Sequence, residues 1–196
     1  LGEHAAELRI KNKTLLDALA EIYARYGYCH NYLTEIRLLG AKGMEQISLI
    51  MDHLRDTRIE AFGDLSVRHK IDRRDGEPQP HLSRTDTSAR NMLVYQLNNT
   101  PDTASLRVTV RPSGTEPKIK MYFEVFGKTF RLEDIDAEME KIVKMREKLE
   151  KNVMQYCYHL LNVDFPDRGF SLSKSLGLFL TTYLIWLSSS IGLTAY

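Results

Sequence analysis

Two runs of alternating apolar residues meet at one short polar stretch, and that juncture constrains the fold more than any other part of the chain. Leu106, Val108 and Val110 lead into it; Ile119, Met121, Phe123 and Val125 lead out. A period of two puts each set on one face of an extended segment, so the pattern predicts a strand, a tight loop and a returning strand. The loop between them reads Arg111-Pro112-Ser113-Gly114-Thr115-Glu116-Pro117-Lys118-Ile119-Lys120. It carries the donors that a phosphate monoester needs. Arg111 offers a planar fork that can take two oxygens at once. Ser113 and Thr115 add hydroxyls, and Gly114 lets backbone N–H groups come close to an anion. Pro112 and Pro117 restrict φ on either side and stiffen the loop before any ligand arrives. Pro, Ser, Gly and Thr also make ordinary hairpin turns, so composition leaves an anion site and a plain turn both open.

The surrounding chain reads as a globular protein. It is 43% hydrophobic and 27% charged, and its formal net charge of +1 lacks the basic excess of a general nucleic-acid binder. Cys29 and Cys157 have neither a metal-site spacing nor a disulfide framework, which points to a reducing cytoplasm and to small buried apolar roles. The chain opens at Leu1 directly into helical sequence without a signal peptide, and reads as the tail end of something longer.

In chain order, residues 3–10 favour helix. A second helix spans about 13–26, with Leu15, Leu16, Leu19, Ile22, Tyr23 and Tyr26 on a stripe expected in the core and Gly27 as its C-cap. Leu33, Ile36 and Leu38 predict a strand ending at Gly40. Gly43 opens an amphipathic helix carrying Met44, Ile47, Ile50, Met51 and Leu54, with His53 on its surface rather than acting as a ligand. Leu65, Val67, His69 and Ile71 alternate as a strand, residues 72–90 read as a long polar loop, and 92–97 as another strand. Asn98 to Asp102 form a turn. Beyond Gly127, residues from about 132 to 159 favour one long helix, whose charged run from Lys141 to Lys151 is expected to be a solvated face. The fold class that follows is α+β: a four- or five-stranded, mostly antiparallel sheet with helices on one face.

The string from Arg111 to Lys118, followed by Ile119-Lys120-Met121-Tyr122, resembles the phosphate-binding loop in the C-terminal domain of the α-D-phosphohexomutases, the phosphoglucomutase and phosphomannomutase family. The resemblance implies a TATA-binding-protein-like domain. Residues 13–17 through 26–28 are similar to the end of that family's third domain. The organisation implied is therefore 1–30 as the helical end of the preceding domain, 31–160 as the C-terminal phosphate-binding domain, and 161–196 as an unmatched apolar tail. In the complete enzymes, a phosphoserine passes its phosphoryl group to a sugar phosphate with Mg²⁺ bound, and the last domain grips the phosphate that is not reacting. By resemblance, Arg111, Ser113, Gly114 and Thr115 would hold that phosphate and Lys120 would add charge. Glu116 and Lys118 match the motif with their roles left open, Glu116 suiting a brace for the loop better than an anion contact. The implied partners are a sugar phosphate, glucose favoured, and the enzyme's N-terminal domains.

The family's other sites are expected to be missing from this chain. Thr103-Ala104-Ser105 begins like the serine loop but continues Leu106-Arg107 inside a strand. Asp72-Arg73-Arg74-Asp75-Gly76 lacks the interleaved aspartates of a Mg²⁺ loop, and its arginines would repel the metal. Asp75-Gly76-Glu77-Pro78 is a weak echo of the sugar-reading Gly-Glu-Glu. No catalytic residue and no metal ligand is assigned here, so the chain alone should not isomerise a sugar phosphate. A different class stays open: a non-catalytic phosphate-binding module, or a decayed fragment. Residues 175–196 carry no charge and are long enough to cross a bilayer, although Thr181, Thr182 and Ser188 to Ser190 dilute their hydrophobicity. A membrane tether, a buried or disordered extension, and a misread gene end are the readings of that tail.

Overall fold

The computed structural model describes residues 1–38, 42–74 and 90–163. Among these, four α-helices, α1 (Gly2–Ile10), α2 (Leu15–Tyr26), α3 (Lys42–Asp56) and α4 (Ile135–Leu160), and a 3-10 turn (Leu132–Asp134) accompany six strands. The strands are β1 (Cys29–Arg37), β2 (Ala61–Phe62), β3 (Leu65–Asp72), β4 (Leu93–Leu97), β5 (Thr103–Pro112) and β6 (Lys118–Gly127). The sheet runs β1-β6-β5-β4-β3-β2, and every neighbouring pair is antiparallel. The class is α+β, as the alternation and the helical stripes imply. Six strands replace the expected four or five because β2 is a two-residue edge strand that no periodicity can reveal.

One face of the sheet forms the core. Leu106, Val108 and Val110 of β5 and Ile119, Met121, Phe123 and Val125 of β6 are buried, together with Leu93, Tyr95 and Leu97 of β4. Register places Phe123 between Val108 and Tyr32, so the residues that alternate along one strand align across three. Ile47, Ile50, Met51 and Leu54 of α3 and Ile142, Leu149, Val153 and Cys157 of α4 close over them. Phe62 meets Tyr95 and Tyr156 edge-to-face, at 5.2 and 5.4 Å between centroids. The buried Tyr95 hydroxyl donates to the Leu54 carbonyl, which satisfies its polar end. His53 lies half-buried with Nε2 3.0 Å from the Tyr156 hydroxyl, a packing role rather than the free surface position expected of it.

Three further expectations need correction. The α2 stripe is not core: Leu15, Leu16, Ile22 and Tyr26 are exposed and α2 buries no residue fully. An amphipathic stripe reports that a helix has a partner, not where the partner lies. The charged run of α4 is not uniformly solvated either. Arg146 and Glu150 are buried as an ion pair against β1, where Thr34 donates its hydroxyl to Glu150 and the Arg146 guanidinium carbon stands 4.3 Å from the Tyr32 ring centroid. Burial pushes the Glu150 carboxyl above its ordinary value. Of the two cysteines, Cys157 is buried and its thiol is pushed up to about 12, whereas Cys29 is only half-buried. The polar stretch 75–89 and the tail from 164 onward lie outside the described residues, as does the strand end expected at Gly40.

Helix α2 starts with a capping box. Asp17 N donates to Thr14 Oγ1 at 3.1 Å, and the Asp17 carboxylate accepts from Thr14 N at 2.7 Å. The Thr14 backbone and hydroxyl donors hold the Asp17 carboxyl below its ordinary value. A group whose pKa is lowered on folding contributes stability above its unfolded value, and that contribution is lost as pH falls through the folded one. Amides in the first turn of α2 should therefore lose hydrogen-exchange protection below about pH 4, and Asp17→Asn should remove that pH dependence. At the other end Gly27 has φ +90°, and a Cβ there would lie 2.2 Å from the Gly127 carbonyl oxygen, so only glycine fits where α2 passes the end of β6.

Candidate functional site

The loop between β5 and β6 stands at one end of the two longest strands. Ser113 N donates to the Lys118 carbonyl at 2.8 Å, and Lys118 N to the Glu116 carbonyl at 2.7 Å, so the turn closes on itself. Its exit is anchored twice: Leu38 N donates to the Pro117 carbonyl at 3.0 Å, and a Cβ on Gly43 would meet Pro117 Cβ at 3.1 Å. The start of α3 and the end of β1 thus support the loop from behind. The N–H groups of Gly114 and Glu116 have no backbone acceptor among the described residues. The positive-φ glycines of the described residues are Gly27 and Gly63. What Gly114 contributes is therefore a missing side chain, not a left-handed backbone.

Side chains follow from the pleat. Because Val110, Ile119 and Met121 face the core, Arg111, Lys118 and Lys120 fall on the opposite face. Arg111 pairs with Lys120 across β5 and β6, and Lys120 pairs with Glu35 across β6 and β1, giving one transverse row of Arg111, Lys120 and Glu35. Arg111 is exposed and Lys120 half-buried, and neither has a carboxylate partner among the described residues. Two cations with adjacent backbone positions, left without a counter-charge, raise the local potential for a dianion. Gly114 and Thr115 are exposed at the tip, and Ser113 is half-buried beside them.

The other charges here are already neutralised. Lys118 Nζ lies 2.6 Å from Glu116 Oε2 and 3.3 Å from Glu35 Oε1. Arg37 reaches Glu35 Oε2 with Nε at 3.0 Å and Nη2 at 2.7 Å. The hydrogen bond from Arg37 holds the Glu35 carboxyl below its ordinary value, and Lys118 does the same for Glu116. Glu116 in turn holds the Lys118 ammonium above its own. Sequence reasoning leaves Glu35 and Arg37 out entirely. Their only trace is a carboxylate and a guanidinium two residues apart on one strand face, which means nothing until register sets them beside Lys118. A recess of about 390 Å³ lies further along the same face, lined by Asn31, Leu33, Thr109, Tyr122 and Glu124 among others, and it does not include the loop. Gly114, Thr115 and Glu116 at the tip of the loop are exposed.

Among the described residues no three His, Cys, Asp or Glu side chains come together in a way that could hold a metal ion. Asp72 of the arginine-rich stretch is paired with Arg55, Nε to Oδ2 at 2.6 Å, and residues from 75 to 89 are not described. The donor set of the described residues therefore does not fit the Mg²⁺ that the resemblance implies for the complete enzyme. Ser105 lies on β5 near its start, as its strand context predicts. No helix of the described residues is long and apolar enough to cross a membrane; residues 175–196 fall outside them.

Residues 99–142 match a family model described as phosphoglucomutase/phosphomannomutase, C-terminal domain. That span contains β5, the loop and β6. Similar curated proteins include phosphoglucomutases of Staphylococcus aureus. The protein of strain MSSA476 is 33% identical over 135 residues, covering 65% of this chain and 23% of the relative. That of strain N315 is 32% identical over 143 residues, covering 73% of this chain and 25% of the relative. The chain thus spans about a quarter of the length of the relatives it matches.

Proposed function

From a chain that carries the C-terminal domain of the phosphoglucomutase/phosphomannomutase family, we propose that it serves as the phosphate clamp of a phosphohexomutase. The complete enzyme would interconvert hexose 1-phosphate and hexose 6-phosphate in the cytoplasm through a phosphoserine and a bisphosphate intermediate, with Mg²⁺ held outside this chain. Arg111, Ser113, Gly114 and Thr115 grip the phosphate that is not reacting, and Lys120 adds charge. The supporting observation is the uncompensated Arg111–Lys120 pair beside an exposed, braced loop, while nearby Arg37 and Lys118 are neutralised by Glu35 and Glu116. Positioning and charge dominate phosphoryl transfer, so a rigid distal grip contributes to rate without taking part in bond making.

On this reading residues 1–30 are the end of the preceding domain. The exposed Leu15, Leu16, Ile22 and Tyr26 of α2 are the surface that domain would cover. An exposed loop also suits a site completed by other domains. Glucose phosphates are the favoured substrates.

The test is a chimera in which residues 31–160 replace the C-terminal domain of a phosphoglucomutase. Turnover of glucose 1-phosphate that drops with Arg111→Ala is the expected result. A folded chimera that neither turns over substrate nor binds phosphate contradicts the reading. The chain by itself, without serine and metal loops, should show no turnover.

A further inference from the structure

The cross-strand partner of Lys120 is a carboxylate, Glu35, and yet that carboxylate is held by other residues. Directly opposed side chains on neighbouring antiparallel strands have Cβ atoms about 4.5–5.5 Å apart, close enough for a Glu–Lys pair to form readily. In the folded chain Glu35 Oε2 accepts from Arg37 at 2.7 and 3.0 Å, and Oε1 faces Lys118 Nζ at 3.3 Å. Lys120 has no carboxylate partner among the described residues.

We propose that Arg37 is a positioning residue for the anion site: its guanidinium draws Glu35 away from Lys120 and so keeps the Arg111–Lys120 pair free for a phosphate. This deepens the clamp reading and rests on it. The geometry gives Arg37 two N–H donors on one oxygen of Glu35, while Lys118 secures the other. Lys118 alone would not suffice, because its shorter contact, 2.6 Å, is to Glu116. Without Arg37, one Glu35 oxygen loses both donors, and, with Lys118 already engaged by Glu116, the cation directly opposite it across the ladder is Lys120. Glu35 would then occupy the ammonium and add a negative charge beside the incoming dianion. Arg37 itself has no need to touch the ligand. Its side chain is 65% exposed on the edge strand, two strands from Arg111 and opposite Lys118 in the next cross-strand row.

Two measurements on the full chain test this separately from the clamp itself. The first needs no ligand: an NMR search for a through-hydrogen-bond coupling between the Lys120 ammonium and the Glu35 carboxylate. The coupling should be absent in the wild type, present in Arg37→Ala and absent again in Arg37→Ala/Glu35→Gln. No coupling in Arg37→Ala overturns the proposal whether or not the chain binds phosphate. The second is a double-mutant cycle on inorganic phosphate affinity. Arg37→Ala should weaken binding about threefold to tenfold with Glu35 present, and by less than about twofold in the Glu35→Gln background. An equal loss in both backgrounds would make Arg37 merely a distant charge and overturn the proposal. Failure of the wild-type chain to bind phosphate, with Lys120 responding as described, would remove the clamp reading and leave the contact itself established. A matching amide spectrum for each variant excludes loss of the sheet.

Discussion

Replacing Arg111 with alanine should weaken phosphate binding by about a hundredfold while leaving the fold intact. Two charge-assisted hydrogen bonds from one guanidinium are worth roughly 1.5–3 kcal/mol each before non-additivity, and about 2.7 kcal/mol corresponds to about a hundredfold. The cost to stability should be small, because Arg111 is exposed and has no ion pair among the described residues. Arg111→Lys keeps a point charge but lacks the planar fork, so it should recover only part of the loss. Titration calorimetry with inorganic phosphate, beside thermal unfolding of the same samples, separates the two effects. If Arg111→Ala bound phosphate as well as the wild type, the guanidinium would have no place in the site.

The second large effect falls on stability. Phe123 is fully buried at the centre of β6, between Val108 of β5 and Tyr32 of β1 and beneath the helices. Phe123→Ala should cost about 3–5 kcal/mol through lost transfer energy and the cavity left in the centre of the sheet. A domain of ordinary stability holds only about 5–15 kcal/mol, so much of its margin would go. Denaturant unfolding measures this, with a lower midpoint and little change in slope. Phosphate affinity extrapolated to the folded population should stay near the wild-type value. Phe123 faces the core, whereas Arg111 and Lys120 lie on the opposite side of the same strands.

These two residues also show which parts of the molecule are legible in the sequence. Alternation from Leu106 to Val125 reveals both long strands and their inward face, because burial on one side of a pleat imposes a period of two. It also reveals Arg111 and Lys120 as outward residues. The start of β1 is hidden, since Cys29, His30, Asn31 and Tyr32 have no apolar alternation: Tyr32 and Thr34 meet the polar pair of α4 rather than a greasy surface. Burial of Arg146 and Glu150 is equally hidden, because a charged run reads as solvated until a tertiary partner covers it. The stripe on α2 is visible, but its lack of cover within the described residues is not, as periodicity carries no information about distance. At the candidate site the loop is local and can be read directly. The Glu35–Arg37–Lys118 network depends on register between strands far apart in the chain, and no local pattern encodes it.

As an anion cradle, the β5–β6 loop should bind inorganic phosphate through its own amides and the Arg111 guanidinium. The most direct measurement is an amide and guanidinium NMR titration of the full chain with inorganic phosphate. Saturable shifts at Ser113, Gly114, Thr115 and the Arg111 Nε–H, abolished in Arg111→Ala, are the predicted result. No saturable response at those positions, or one that survives Arg111→Ala unchanged, would contradict it.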